Sequence, residues 1–195
     1  MRLEKIGEEE FRKVVYPEYK KLFLREERKP YILISRSIKH KMTNVIKILE
    51  KDKFIGFFIV NSLEGNKYMI LDYFAILPEY QNQGYGSEAL ELLRKQNENY
   101  NGIYIEIEKC GMGLNEEENK IREKRLKFYE RVGFHKLNFD IDMYNVTYST
   151  LVLPCTKDKF VEEEILEDVF EIYIAISGEN RVKRHFRVVK HREDN

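Results

Sequence analysis

Two glycines, Gly84 and Gly86, stand at the entry to a helical pattern that follows a β-rich run from Lys67 to Ile76. Glycine permits positive φ or close backbone approach, and the first turn of a helix offers unbonded N–H groups carrying about half a positive charge. Such a loop suits an anion, most naturally a pyrophosphate. Walker A chemistry is excluded, because Ser87 and Glu88 follow Gly86 where Lys and Ser or Thr are needed. A Rossmann turn is a closer match, since Gly84 to Ala89 fits GxGxxA and Glu106 lies on the next strand pattern. It is rejected because Leu77 to Gln83 separate the strand from the first glycine and the preceding strands read as an antiparallel meander. Carboxylates stand on strand patterns at Asp72, Glu106 and Glu108, where they offer general-base chemistry or ordinary ion pairing. Cys110 and Cys155 lack CxxC spacing, and His40, His135, His185 and His191 lack paired-ligand spacing, so no metal is expected.

The elements that must position these residues alternate in period. Phe11, Val14, Val15, Tyr19, Leu22 and Phe23 predict a helix over 8–24, and a shorter one follows over 30–40. Asn44–Leu49, Phe54–Ser62 and Lys67–Ile76 predict three strands of a meander. Tyr85, Ala89, Leu92, Leu93 and Gln96 form the stripe of a helix over 84–100, and a strand at 103–108 then implies a parallel neighbour. Asn115 caps a helix that ends at Gly133; strands at 134–144 and 148–153 and a helix at 160–176 complete a mixed α/β layer. The 195 residues are enough for one domain with a full core. Lys plus Arg balance Asp plus Glu at 34 each, which excludes whole-chain electrostatic capture of nucleic acid or anionic membrane. No apolar run reaches the roughly 20 residues of a membrane helix, and no secretory signal opens the chain, so a cytoplasmic protein is expected.

The run Gln81-Asn82-Gln83-Gly84-Tyr85-Gly86 resembles the [RQ]-x-x-G-x-[GA] loop of the GNAT superfamily of acyl-CoA-dependent N-acetyltransferases. Phe74 to Tyr80 looks like that family's strand end, and Phe128 to Phe134 like its second signature. The resemblance implies a GNAT fold: a mixed, mostly antiparallel sheet with splayed central parallel strands flanked by helices. It also implies acetyl-CoA as cosubstrate. Backbone groups at Phe74 and Ile76 would hold pantetheine, and those of Gln81, Asn82, Gln83, Gly84, Tyr85 and Gly86 the pyrophosphate. Tyr129 matches the family's tyrosine that assists the departing thiolate. For the base Asp72 is favoured, placed by strand alternation on the face of Phe74 and Ile76, with Glu106 and Glu108 competing and a water chain as the remaining alternative. Arg122 and Arg125 stand where many relatives have asparagine and alanine, so the asparagine contact to pantetheine does not carry over; either reaches a CoA phosphate or an acidic substrate, or is solvated.

The GNAT domain is expected over 1–178, followed by a basic extension over 179–195. From Arg181 to Arg192 there are six Lys or Arg and two His, directly after an acidic helix. This segment reads as a solvated extension or an edge strand, with nucleic acid a lesser alternative. The expected activity is transfer of acetyl to a primary amine of a small molecule or peptide by direct attack in a ternary complex; the alternative is a non-catalytic acyl-CoA-binding module. Membrane and nucleic acid are not expected partners, and a homodimer is left open.

Overall fold

The computed structural model describes residues 1–156 and 160–191. Strand β1 (Arg2–Ile6) leads into a helical stretch in three parts: α1 (Glu8–Glu10), a π-helical turn (Phe11–Val15) and α2 (Tyr16–Leu22). The widened turn comes just before Pro17, whose ring donates no N–H and crowds the carbonyl four residues back. Then follow α3 (Tyr31–Lys39) and the meander β2 (Thr43–Glu50), β3 (Lys53–Asn61) and β4 (Tyr68–Ile76). After a 3-10 turn (Pro78–Tyr80) come α4 (Tyr85–Gln96), β5 (Gly102–Glu108), α5 (Glu116–Val132), β6 (His135–Met143) and β7 (Val146–Pro154). The described chain closes with α6 (Glu162–Ser177), α7 (Glu179–His185) and β8 (Phe186–Lys190).

The strands form one sheet in the order β1-β2-β3-β4-β5-β7-β6-β8, antiparallel except between β4 and β5. Against one face pack α4 and α5, with Ala89, Leu90 and Leu93 entering a core that includes Ile103, Ile105, Leu151 and Leu153. Leu90, rather than Leu92, completes the buried side of α4. The α5 helix buries no residue fully, and Ile121, expected on its apolar stripe, is exposed. The opposite face carries two clusters. One gathers Phe11, Val15, Tyr19 and Ile34 over β2 to β4, and the other gathers Ile165, Val169 and Ile172 of α6 over the β5 to β7 half.

The parallel pairing of β4 and β5 lasts only three residue pairs, Tyr68 with Gly102, Met69 with Ile103 and Ile70 with Tyr104. Beyond Ile70, β4 stays bonded to β3, while beyond Tyr104, β5 stays bonded to β7. The two half-sheets therefore part at Ile70 and Tyr104 and leave a V-shaped cleft. At the crotch β4 carries a bulge: Val60 faces Leu71 and Ile59 faces Tyr73, which leaves Asp72 as the extra residue.

That bulge corrects the expected placement of Asp72. An inserted residue breaks the period-two alternation, so Phe74 and Ile76 pack into the α4/α5 face while Tyr73 and Ala75 pack into the other. Asp72 goes with Tyr73: its carboxylate meets Lys29 and Asn61 on the α2/α3 side.

The basic segment set apart after 178 is built into the same sheet. Strand β8 pairs antiparallel with β6 from Phe139–Lys190 to Met143–Phe186, and Val182 and Phe186 are buried in the α6 core. Residues 192–195 lie outside the described residues. Acids of α6 bond elsewhere: Asp168 accepts from the backbone N–H groups of Lys67 and Tyr68 at the start of β4, at 2.7 and 2.8 Å, and Glu162 accepts from the Asn138 N–H of β6 at 3.0 Å.

Candidate active site

The glycine loop begins where β4 ends. Gln81 ties it to the strand, its side-chain amide donating to the Ile76 carbonyl at 2.8 Å and its backbone N–H to the Pro78 carbonyl at 3.2 Å. Asn82 and Gly84 then take φ of 60° and 86°, a left-handed conformation that glycine adopts without penalty. Gly84 caps α4, accepting from the N–H groups of Ser87 and Glu88. Among the described residues, the backbone N–H groups of Asn82, Gln83, Gly84, Tyr85 and Gly86 have no protein acceptor. Five consecutive donors at an exposed helix start are left free to receive an anion without any titratable side chain. Gln81, expected in this set, holds the loop in place.

The two glycines serve different ends. A Cβ on Gly84 would meet nothing within 4 Å, so its contribution is the positive φ. A Cβ on Gly86 would lie 3.3 Å from Phe128 Cζ and 3.7 Å from Phe74 Cζ. Gly86 thus lets α4 approach α5 and β4 closely. Phe74 itself stacks on Phe58 at 4.7 Å, which leaves its main chain along the open edge of the cleft.

On the α3/α6 side of the crotch, Asp72 and Glu106 stand two residues past the last parallel pair on their own strands. Asp72 Oδ2 accepts from Lys29 Nζ at 2.6 Å and from Asn61 Nδ2 at 3.0 Å. Glu106 accepts from the hydroxyls of Tyr104 at 2.9 Å and Tyr173 at 2.8 Å. Burial pushes the Glu106 carboxyl up to about 7, against the two hydroxyl bonds, and the nearby Asp72 charge adds to the rise while Lys29 lowers it. Lys29 Nζ also lies 5.4 Å from the Tyr173 ring centroid, within cation–π range.

Tyr129 occupies the other face. Its half-buried ring meets Phe128 and Phe134 edge-on at 5.2 and 5.1 Å, and among the described residues its hydroxyl has no hydrogen-bond partner. Burial pushes that hydroxyl up to about 12, with the Arg125 charge pulling the other way. It is a proton donor at neutral pH.

Glu108 goes a different way from Glu106. Arg122 donates to it at 3.0 Å and to the Lys109 carbonyl at 3.2 Å, and Arg125 approaches it at 3.5 Å. These bonds fasten α5 to the end of β5, so Arg122, with only 12% of its side chain exposed, is neither solvated nor directed at a ligand. The contiguous loop was legible as a motif. Lys29, Asn61, Tyr104 and Tyr173 were not, because each comes from a different element and no local spacing joins them.

Residues 43–136, from β2 through α5, match the family model described as an acetyltransferase (GNAT) domain. No curated protein sequence matches the chain. Among solved structures, a protein of Bacteroides thetaiotaomicron assigned to the GNAT acetyltransferases superposes with a TM-score of 0.71 at 19% identity, covering 92% of this chain and 99% of that one. The ribosomal-protein-S18-alanine N-acetyltransferase of Escherichia coli gives 0.58 at 14% identity, over 82% and 99%. An aminoglycoside 6′-N-acetyltransferase complexed with coenzyme A gives 0.58 at 11%, over 82% and 100%. No helix among the described residues is long and apolar enough to cross a membrane. With the parted strands, the glycine loop and the Tyr129 helix all inside the matched segment, residues 43–136 are a GNAT acetyltransferase domain in a chain that has the GNAT fold.

Proposed function

We propose that the protein is an N-acetyltransferase that moves the acetyl group of acetyl-CoA directly onto a primary amine in a ternary complex. The observation that carries this reading is the run of five acceptor-free N–H groups, Asn82 to Gly86, beside the edge of β4 where its pairing with β5 ends. The pyrophosphate of the cosubstrate would lie on those donors. The pantetheine would run along β4 past Phe74 and Ile76, bringing the thioester to the crotch.

The acceptor enters from the α3/α6 side, and the geometry favours Glu106 over Asp72 as its base. Asp72 already holds Lys29 and Asn61. An alkylammonium with a reference pKa of about 10.4 loses its proton to an ordinary carboxylate only at roughly 8 kcal/mol. Transfer to a carboxyl raised to about 7 costs roughly 5 kcal/mol. Burial therefore makes Glu106 a better base than an ordinary carboxylate, and Asp72, bonded to Lys29 and Asn61, holds the cation that limits the rise. Tyr129 donates a hydrogen bond to the departing sulfur. With its hydroxyl near 12 and a thiol near 8.5, complete transfer to the thiolate would cost roughly 5 kcal/mol, so the proton stays on Tyr129 and the thiolate takes one from solvent.

Protein and aminoglycoside substrates are named for two neighbours of this same fold, so the architecture does not select the acceptor. Half-buried Tyr31 and the exposed Lys39 and His40 border the α3 side without selecting one either. The decisive experiment is an amine and peptide library incubated with acetyl-CoA, read by mass spectrometry and by thiol release. Release matched by N-acetyl product supports the reading. Thermal stabilisation by CoA with no turnover on any amine would instead favour a binding module.

A further inference from the structure

One amine already sits on the acceptor side of the cleft. Lys29 lies in the segment between α2 and α3, far in sequence from both parted strands. Its main chain is pinned by two tyrosines buried in the core: its N–H donates to the Tyr73 hydroxyl at 3.0 Å, and its carbonyl accepts from the Tyr19 hydroxyl at 3.4 Å. This fixes the direction of the side chain, which carries Nζ to Asp72 at 2.6 Å and over the Tyr173 ring at 5.4 Å. Tyr173 is the same residue whose hydroxyl binds Glu106 at 2.8 Å. An unbranched primary alkylammonium is thus held on Asp72 and over the ring whose hydroxyl binds Glu106, yet its side chain keeps 21% exposure and so has room to move.

We propose that Lys29 is itself an acyl acceptor: with acetyl-CoA bound and no other amine present, the protein acetylates Nζ of Lys29. The inference rests on the function proposed above. The Lys29 ammonium gives up one proton through a crotch carboxylate to solvent, and the freed nitrogen lone pair attacks the thioester carbonyl. A new N–C bond forms, the C–S bond breaks, and the sulfur leaves as thiolate and takes a proton. The products are N-acetyl-lysine and CoA, with one proton released and one positive charge lost from the chain. Until it reacts, the Lys29 ammonium occupies the place an incoming acceptor ammonium must take, so a cationic acceptor competes with it.

The test uses the full chain with saturating acetyl-CoA and no added amine, followed by digestion with a glutamyl endoprotease and mass spectrometry. Lys29 should be acetylated with first-order kinetics at a rate independent of protein concentration. That rate should exceed by at least ~10-fold the labelling of Lys29 in the urea-unfolded chain, since the nitrogen is positioned. Lys29→Arg should remove this label, and Tyr129→Phe should slow it. Three results overturn the inference while leaving the proposed function in place: an unlabelled Lys29 in a preparation that acetylates an added amine, a rate proportional to protein concentration, or a rate equal to that of the unfolded chain. Failure of acetyl-CoA to bind at all overturns both.

Discussion

On the α4/α5 side of the cleft, the polar groups include main-chain N–H donors from five consecutive residues and the Tyr129 hydroxyl, none with a protein partner among the described residues. On the α3/α6 side they are two carboxylates, a lysine and two tyrosine hydroxyls drawn from β4, β5, α6 and the loop before α3, with Lys29 bonded to Asp72 and both hydroxyls bonded to Glu106. The first face has its donors free and neutral, ready for an anion that brings its own charge. The second is internally hydrogen-bonded before any acceptor arrives. Each arrangement matches a different demand. A cosubstrate anion is bound well by fixed dipoles that need no reorganisation, whereas deprotonation of an amine needs a group whose proton affinity has been adjusted by burial and neighbours.

The sharpest way to break this contrast is to neutralise the adjusted carboxyl. Glu106→Gln should lower the acetylation rate by about 10³-fold while leaving acetyl-CoA affinity intact, measured by stopped-time assay and calorimetry. In the parent protein kcat/KM should rise with pH through about 7 as Glu106 ionises and then level. The same group acts on stability in the opposite sense. Its folded value lies above the ordinary 4.5, so between pH 4.5 and about 7 the folded chain keeps a proton that the unfolded chain has lost. Its contribution to stability therefore falls across that window as pH rises, and Glu106→Gln should remove this part of the Tm-against-pH curve.

On the other face, Tyr129→Phe removes only the partnerless hydroxyl. The single-turnover rate should drop by ~10²-fold with fold and CoA affinity unchanged. An unchanged rate would make Tyr129 a packing residue and leave that face with backbone donors alone. Gly84→Asp places a negative charge against the bound anion at a position with open space for the side chain and a φ that Asp tolerates. Acetyl-CoA should bind at least ~10-fold more weakly, about 1.4 kcal/mol, whereas the uncharged Gly84→Asn should bind within a few-fold of the parent. Equal losses in both would assign the effect to backbone geometry rather than charge. Smallest is Gly86→Ala, whose methyl meets the ends of two aromatic rings, Phe128 and Phe74. A stability loss of about 1 kcal/mol in denaturant melts is expected, with a smaller change in CoA affinity than Gly84→Asp.

What was legible follows the same division. The helix over 116–132 announced itself through Asn115, whose side chain accepts from the Glu118 N–H at 2.9 Å, and through Gly133, which takes φ of 104° at its end. Those are signals carried within a few residues. Asp72 was legible as a strand carboxylate on β4, but its face was not, because a single bulge opposite Val60 and Ile59 reverses the alternation. The basic run after Arg181 was legible as charge. Its assembly into α7 and β8 against β6 depended on Val182 and Phe186 reaching a core formed by residues far earlier in the chain.

The sequence by itself determined the order of the elements from the first helix through β7, and the glycine loop with its helix start. All of these are set by backbone preference, capping and periodicity over a handful of neighbouring residues. Only the tertiary structure decided that β4 and β5 part after three residue pairs, that Asp72 turns toward Lys29, and that Glu106 is enclosed by Tyr104 and Tyr173 with its carboxyl raised to about 7. A proton affinity of that kind depends on burial and on charges brought in by distant segments, so no local run of residues contains it.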